Sequence, residues 1–496
     1  MNHTRELPAT LRDAHIHFVG IKGTGMAALV EILDAAGAKI TGSDVAERFY
    51  TDEILERHGI SVLPFSAGNI TDDVKCVIYS SAYSPSNNPD LQEADRKNVP
   101  VMLYSEALGA VSALSYSCGV CGVHGKTTTT GLAGTLLKAV NLPAQALAGS
   151  VITSFGNSCT MTTPTFTHEV KHYFVAETCE YQRHFLAFHP QKIILTAVES
   201  DHQDYYPTYE DIRSAFVDYC CLLPEHGQLI YCADEAGAVE VAGLVKERRG
   251  DVQLVPYGEK ADGDYRLSFG TVEKGLHRFS VPAIGECAIG VPGDHNVRNA
   301  CAAIALCCEL LKTDRKNCAD FKEFIKSGLL SFAGGKRRSE IVGRAKTPAG
   351  QDVIFIDDYG HHPTAIKTTL EGYRAFYRDY KIIVDFMSHT YTRTAALLDE
   401  FASSFSCADE VIINKIYGSA REHADATTVT GEILAEKTRQ HHQHVHYCAE
   451  FLEAAALGQK LLQQPSGDTY PSGYLFVTMG AGDNWKVGTQ LMEKLK

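Results

Sequence analysis

A lysine that opens a helix behind a glycine-bracketed loop is suited to holding phosphate, and Gly122-Val123-His124-Gly125-Lys126-Thr127-Thr128 has that form. Glycines let backbone N–H groups approach phosphate oxygens, and the helix start adds partial positive charge. In such a loop Lys126 reaches the β- and γ-phosphates of ATP, and the hydroxyl of Thr127 or Thr128 ligates Mg²⁺. The strict form of the motif places a glycine at Val120, so a glycine-rich turn without nucleotide is the alternative.

Two further segments end apolar runs in acids or histidine. Val175-Ala176-Glu177-Thr178-Cys179-Glu180 is one, and Ile193 to Val198 followed by Glu199-Ser200-Asp201-His202 is the other. Open parallel sheets place their sites at strand C-termini. A carboxylate and an imidazole beside ATP phosphates suit metal ligation, because the ion offsets the repulsion between anions. Gly293-Asp294-His295-Asn296-Val297-Arg298-Asn299 opens another helical stretch, where its polar side chains either cap the helix or contact nucleotide. Gly335-Lys336-Arg337-Arg338 offers guanidinium groups whose planar fork can pair two phosphoryl oxygens, with a solvated basic turn as the alternative.

Near the N-terminus, Gly20-Ile21-Lys22-Gly23-Thr24-Gly25-Met26 lies between a β-rich run and a helical pattern. Its glycine order is GxxGxG rather than the GxGxxG of dinucleotide binders. The physics of a phosphate cradle is the same. A nicotinamide-dependent oxidoreductase is disfavoured by that order and by the second phosphate loop at 122–128, which it does not need.

These residues must be positioned by strand–turn–helix units. Short β-rich runs at His15–Val19, Ser117–Cys121 and Asp352–Ile356 each start a glycine-punctuated α/β segment, which predicts mostly parallel sheets with helices outside. At roughly 150 residues per domain, 496 residues correspond to about three domains. Weak linker signals place the boundaries near 116 and 332. The predicted units are 1–116, 117–332 and 333–496.

A net charge of -14 excludes binding of nucleic acid through bulk electrostatics, so phosphates must be held locally. No apolar run is long enough to span a bilayer, and the first fifteen residues lack the apolar core of a signal peptide, so a cytoplasmic protein with no membrane association is expected. The 15 cysteines are expected to be mostly reduced, small buried hydrophobes, Cys301, Cys307 and Cys308 among them. The Cys118/Cys121 pair lies on the strand entering the phosphate loop, a setting that argues against redox or metal chemistry. The histidine-rich stretch His441–His446 has irregular spacing and is read as solvated surface.

The compressed loop at 122–128, the strand-end pair Glu177/His202 and the Gly293–Asn299 element together resemble the Mur ligase and folylpolyglutamate synthase superfamily. Within it, Asp357-Asp358-Tyr359-Gly360-His361-His362-Pro363-Thr364 and His389-Thr390-Tyr391-Thr392-Arg393-Thr394 are similar to signatures of the alanine-adding branch. The resemblance implies a Rossmann-like UDP-binding domain, a central P-loop ATPase-like domain and a Rossmann-like C-terminal domain that closes over the site. It implies an ATP- and Mg²⁺-dependent ligase that activates the lactyl carboxylate of UDP-N-acetylmuramate as an acyl phosphate and joins it to L-alanine. The alternative within the family is the tripeptide-adding ligase of cell-wall recycling. The expected assembly is a monomer or homodimer.

By the same resemblance, Gly20, Gly23, Thr24, Gly25 and Met26 hold the UDP diphosphate, Asp44 the uridine end, and Ser80 and Ser81 the sugar-nucleotide side. Gly122 to Thr128 bind ATP with His295 and Asn299 near adenine and ribose, Arg338 reaches the γ-phosphate, and Asp358 faces the nucleotide. Glu177 and His202 are implied metal ligands, and Tyr359, His361 and Arg393 meet the amino acid. Three departures stand out. Thr390 replaces the first of two arginines expected to clamp the amino-acid carboxylate, Ala197 replaces an asparagine, and residues 203–220 contain no lysine that could be carbamylated. The last fits the alanine-adding branch.

Overall fold

A computed structural model describes residues 6–167, 172–203, 205–418, 428–480 and 482–495. The expected three α/β domains are present. Each is built on its own main sheet, with helices in the crossovers between its parallel strands.

The first sheet joins β1 (His15–Val19), β2 (Lys39–Ser43), β3 (Val62–Leu63), β4 (Val74–Tyr79) and β5 (Val101–Leu103) in the order β3-β2-β1-β4-β5, all parallel. β1 is buried along its whole length, as a central strand covered on both faces must be. The topological switch lies between β1 and β4, where the chain leaves β1 into the glycine loop at 20–25.

The central sheet has seven strands: β6 (Tyr116–Cys121), β7 (Ala144–Ile152), β8 (Ser158–Thr162), β9 (Tyr173–Glu177), β10 (Lys192–Leu195), β11 (Gln228–Cys232) and β12 (Gln253–Tyr257). Their order is β12-β11-β10-β6-β9-β7-β8, with only β8 antiparallel. β6 lies between β10 and β9, so the phosphate loop at its end is flanked by the two strands that carry the acid and histidine segments. A three-stranded antiparallel sheet of β13 (Ser268–Glu273), β14 (Leu276–Val281) and β15 (Gly285–Ile289) precedes the helix Asp294–Thr313.

The last sheet orders β16 (Glu340–Lys346), β17 (Asp352–Asp358), β18 (Tyr380–Met387), β19 (Glu410–Ile413), β20 (Val445–Tyr447) and β21 (Gly473–Gly480) as β16-β17-β21-β18-β19-β20. Its apolar residues pack in two separate clusters, one on each face, as expected of a sheet sandwiched between helices.

The cysteines differ from expectation at one point. Cys308 is disulfide-bonded to Cys318, because the helix Asp294–Thr313 and the turn at Cys318–Phe321 bring their Cα atoms to 5.2 Å. Cys118, Cys121, Cys301 and Cys307 are free and buried. Among the described residues no helix is long and apolar enough to cross a membrane.

Candidate active site

The phosphate loop is held by the end of β10. Val123 donates its N–H to Ala197 O at 2.9 Å, and the Thr196 hydroxyl donates to Cys121 O at 3.1 Å. Position 197 therefore works through its main chain, which an alanine supplies as well as an asparagine. Gly122 has φ of +129°, and a Cβ there would sit 2.1 Å from Thr196 Oγ1. No other residue fits that position without displacing β10.

Lys126 opens the helix Lys126–Ala139 and turns back over its own loop. It donates to Gly122 O at 2.6 Å and to Glu180 Oε1 at 3.0 Å. Glu180 is 2% exposed. Burial opposes charge on both groups. For Lys126 the neighbouring Glu180, Cys179 and Glu177 outweigh burial and raise its pKa, while for Glu180 the charges of Lys126 and His202 outweigh it and hold the carboxyl below its ordinary value. Both are therefore ionised at neutral pH.

Glu177 ends β9, and its Oε2 accepts Gly149 N–H at 2.7 Å. A Cβ on residue 149 would meet that carboxylate at 2.6 Å, so the close approach depends on glycine. His202 has a left-handed backbone, φ of +53°, a conformation costly for a non-glycine residue that concentrates at functional sites. Its Nε2 lies 3.6 Å from Glu180 Oε1.

The helix Asp294–Thr313 is capped by Gly293 with no side-chain bond, so His295 and Asn299 lie inside the helix and the capping alternative fails. Asn299 Oδ1 is 2.6 Å from where a Cβ on Gly125 would be, which puts it against the phosphate loop. Burial pushes the His295 imidazole down to about 4, so it is neutral.

The last domain supplies the opposite wall. Arg337 is structural: it donates to Asp357 Oδ2 at 2.8 Å and Gly480 O at 2.7 Å, which ties the turn to two strand ends. Arg338 lies over the Tyr359 ring, 5.2 Å from its centroid, and has no carboxylate partner among the described residues. Asp358 is 6% exposed. It accepts N–H groups from Ser339 and Gly360 at 2.7 and 2.8 Å and a bond from the Tyr373 hydroxyl. Its carboxylate thus braces the 335–339 turn and the 358–361 loop.

His361 Nδ1 pairs with Tyr359 O at 3.0 Å. Burial, and then the charge of Arg393, push its pKa well below the usual range. The neutral ring donates through Nδ1 and leaves Nε2 as an acceptor. Arg393 is bonded to Asp201 along one edge of its guanidinium, with Nη2 and Nε at 2.8 and 3.2 Å from Oδ1, and it lines the cavity. Thr390 N-caps the short helix Tyr391–Ala396, its hydroxyl accepting Arg393 N–H, so the residue that replaces the expected arginine fixes the start of the helix that carries Arg393.

One cavity of about 380 Å³ collects these groups. Every residue singled out for nucleotide, metal or amino acid lines it except Gly122, which lies behind the loop. Glu180, Glu199 and Asp201 line it too, although the sequence reading passed over them; their signal was the same acid-at-strand-end pattern that marked Glu177. A second cavity, about 590 Å³, is lined by Lys22, Asp44 and residues 59–64 of the first domain. Asp44 accepts Lys22 N–H at 2.7 Å. Of the other residues assigned to UDP, Gly20, Gly23, Thr24, Gly25, Met26, Ser80 and Ser81 do not line this cavity, and Met26 is buried in the core, so its side chain is not available to ligand. Gly25 instead shares a smaller cavity of about 170 Å³ with Tyr104, Glu177 and Cys179. The first glycine loop and the acid at the end of β9 thus face a common space.

Three family models match in order. "Mur ligase family, catalytic domain" covers residues 15–116, "Mur ligase middle domain" residues 120–307, and "Mur ligase, glutamate ligase domain" residues 337–482. The chain is 46% identical over 494 residues to a UDP-N-acetylmuramate–L-alanine ligase of Treponema pallidum (strain Nichols), covering 99% of this chain and 98% of that protein. It is 36% identical to the protein of the same name from Desulfitobacterium hafniense (strain Y51), covering 96% and 99%. In fold it is similar to the crystal structure of a UDP-N-acetylmuramate-alanine ligase from Thermotoga maritima, with a TM-score of 0.72, 23% identity and coverage of 97% and 98%. A murein peptide ligase of Psychrobacter arcticus aligns with a TM-score of 0.65 at 20% identity, covering 97% and 98%. With all three domain models matched in sequence and close relatives along nearly its whole length, the chain belongs to the Mur ligase family.

Proposed function

We propose that the protein is the ATP-dependent ligase that joins L-alanine to the lactyl carboxylate of UDP-N-acetylmuramate, the alanine-adding step of peptidoglycan precursor synthesis. The observation that carries this reading is the convergence, in one cavity, of a phosphate loop from the central domain with Arg338, His361 and Arg393 from the last. Relatives named for this activity along nearly the full chain support it.

In this reading the first domain holds the UDP end beside Asp44, and the lactyl carboxylate reaches toward Glu177 through the space shared with Gly25. Lys126 exchanges part of its contact with Glu180 for the β- and γ-phosphates. Arg338, with no carboxylate to satisfy, takes the equatorial oxygens of the transferring phosphoryl group, where a planar fork stabilises spreading charge. The carboxylate oxygen attacks phosphorus, ADP leaves, and an acyl phosphate forms. The amine of alanine then attacks the acyl carbon, and phosphate leaves from the tetrahedral intermediate. The Nε2 lone pair of neutral His361 is an acceptor for a proton of that amine, and Arg393 is the group for its carboxylate.

Mg²⁺ fits the donor set: the Thr127 and Thr128 hydroxyls and the Glu177 carboxylate are hard oxygen donors on one cavity wall, with one Glu177 oxygen already fixed by Gly149. Bound there, with His202 nearby, it supplies charge neutralisation between ATP and the acceptor carboxylate. On this reading the protein works in the cytoplasm.

The test is phosphate release with ATP and UDP-N-acetylmuramate, with L-alanine, glycine, L-serine or the recycling tripeptide as acceptor. Release with alanine well above the others is expected. Turnover with the tripeptide alone would replace this reading with the recycling one, and ATP hydrolysis independent of both acceptors would remove it.

A further inference from the structure

The side chains of His124, Glu199 and His362 form a cluster that takes no step in the ligation chemistry, although His124 belongs to the loop assigned to ATP. They come from three separate segments: the phosphate loop, the loop after β10, and the N-cap of the helix Pro363–Phe376 in the last domain. One ligand-capable atom of each lies within 4.8 Å of those of the other two. His124 Nε2 is 2.7 Å from Glu199 Oε1, the distance of an ion pair without the alignment of a hydrogen bond. His362 is 5% exposed, and its Nε2 is buried with no partner. A buried imidazole nitrogen left unpaired costs free energy unless something binds it.

From this geometry we infer that His124, Glu199 and His362 form a binding site for a first-row transition-metal ion of the Zn²⁺ class, which ties the phosphate loop to the last domain. Two imidazoles and one carboxylate are the donor set such ions take, with the fourth position open to the cavity for water. Ligand atoms on a tetrahedral ion with bonds of about 2.0–2.2 Å sit about 3.4 Å apart, so side-chain shifts of about an ångström complete the site. The other Glu199 oxygen accepts the Thr364 hydroxyl at 3.1 Å, the kind of outer bond that orients a ligating carboxylate. His362 binds through Nε2 by moving its ring proton to Nδ1, which gives up only a 3.4 Å cap to Thr364 N–H. Burial, then His124, hold His362 down to about 4, so no proton has to be displaced from a charged ring. The site shares no residue with the Thr127, Thr128, Glu177 and His202 set assigned to Mg²⁺.

Co²⁺ is the probe. Full-length, nucleotide-free protein in chelator-treated buffer is titrated with Co²⁺ while its visible ligand-field absorption is followed, and Zn²⁺ is then added to displace it. One saturable site with nitrogen/oxygen-type bands, displaced by Zn²⁺, is expected. His362→Gln and Glu199→Gln should each weaken binding by more than about 10-fold, and Thr364→Val by about 10-fold. Thermal melts without metal verify that each variant is folded, and a His441→Ala/His442→Ala pair serves as a surface control. Binding unchanged in both His362→Gln and Glu199→Gln, lost in the surface pair, or marked by an intense sulfur charge-transfer band overturns the inference, as does the absence of a saturable site.

Discussion

Arg393 and Asp201 join the last domain to the central one through a single carboxylate oxygen, with Arg393 Nη2 at 2.8 Å and Nε at 3.2 Å from Asp201 Oδ1. The pair is nearly fully buried, with side chains 8% and 4% exposed. Burial opposes the Asp201 charge, but the Arg393 guanidinium beside it is the main group that outweighs burial and holds the carboxyl far below its ordinary range. One edge of the guanidinium is thus fixed, and Nη1 remains on the other. In the proposed function Asp201 is therefore a positioning residue for the arginine assigned to the amino-acid carboxylate. Asp201→Asn should raise the KM for alanine by about 10-fold or more, in line with loss of a buried charge-assisted bond, and leave the KM for UDP-N-acetylmuramate within about 2-fold. Steady-state kinetics varying one substrate at a time measures both. An unchanged alanine KM would show that Arg393 needs no brace.

Lys126→Ala removes the cation of the phosphate loop and leaves Glu180 buried without its principal partner. Acyl-phosphate formation should be abolished, while UDP-sugar binding to the first domain, measured by calorimetry, is retained. The buried carboxylate left without its partner also predicts a cost in stability of about 3–5 kcal/mol, the penalty for breaking a buried pair, and Lys126→Ala/Glu180→Gln should recover part of it without recovering activity. Retained ligation in Lys126→Ala would remove the loop from the mechanism.

Arg337 and Arg338 are neighbours with different work. Arg337 bonds Asp357 and Gly480, whereas Arg338 faces the cavity over Tyr359. Arg338→Ala should lower kcat by about 100-fold or more with little change in melting temperature, as loss of a charge-stabilising group does. Arg337→Ala should lower the melting temperature and affect kcat less. The opposite pattern would reverse their assignments.

Asp385 lies fully buried in β18. It accepts Asn414 Nδ2 at 3.1 Å, while its Oδ2 and the Oδ1 atoms of Asn414 and Asn484 have no partner. Burial raises its pKa from 3.8 to about 7. Between those values the folded state keeps a proton that the unfolded chain has released. The contribution of Asp385 to stability is therefore full below about pH 4, falls as pH rises toward 7 and stays lower above, by a few kcal/mol at most. Asp385→Asn has no charge to bury and carries N–H donors for the orphaned oxygens. Its gain in melting temperature over the parent protein should be larger at pH 8 than at pH 5. An equal shift at both would mean that Asp385 is not the titrating group.

Local chemistry was enough to read much of this protein from its sequence. The glycine order at 20–25 and the loop at 122–128 depend on backbone conformation and on residues adjacent in the chain, so spacing marked them, and the contiguous run at 357–364 was marked by its resemblance to a family signature. Strand runs such as β1 and β6 were visible because buried parallel strands are continuously apolar. Pairings between distant segments left no such trace. Lys126 with Glu180, Arg393 with Asp201, and His124 with Glu199 and His362 join residues separated by dozens to hundreds of positions, and only the packing of β10, β6 and β9 side by side, with the last domain folded over them, decided that these charges would meet. The same holds for Met26, which lies in the binding motif by sequence and in the hydrophobic core by structure, and for Cys308 and Cys318, where the return of the chain after a helix decided the pairing. Sequence determines which chemistry each segment can offer, whereas burial and contact, which arise only when strands distant in the chain become neighbours, decide which groups are charged, which are braced and which are left open to substrate.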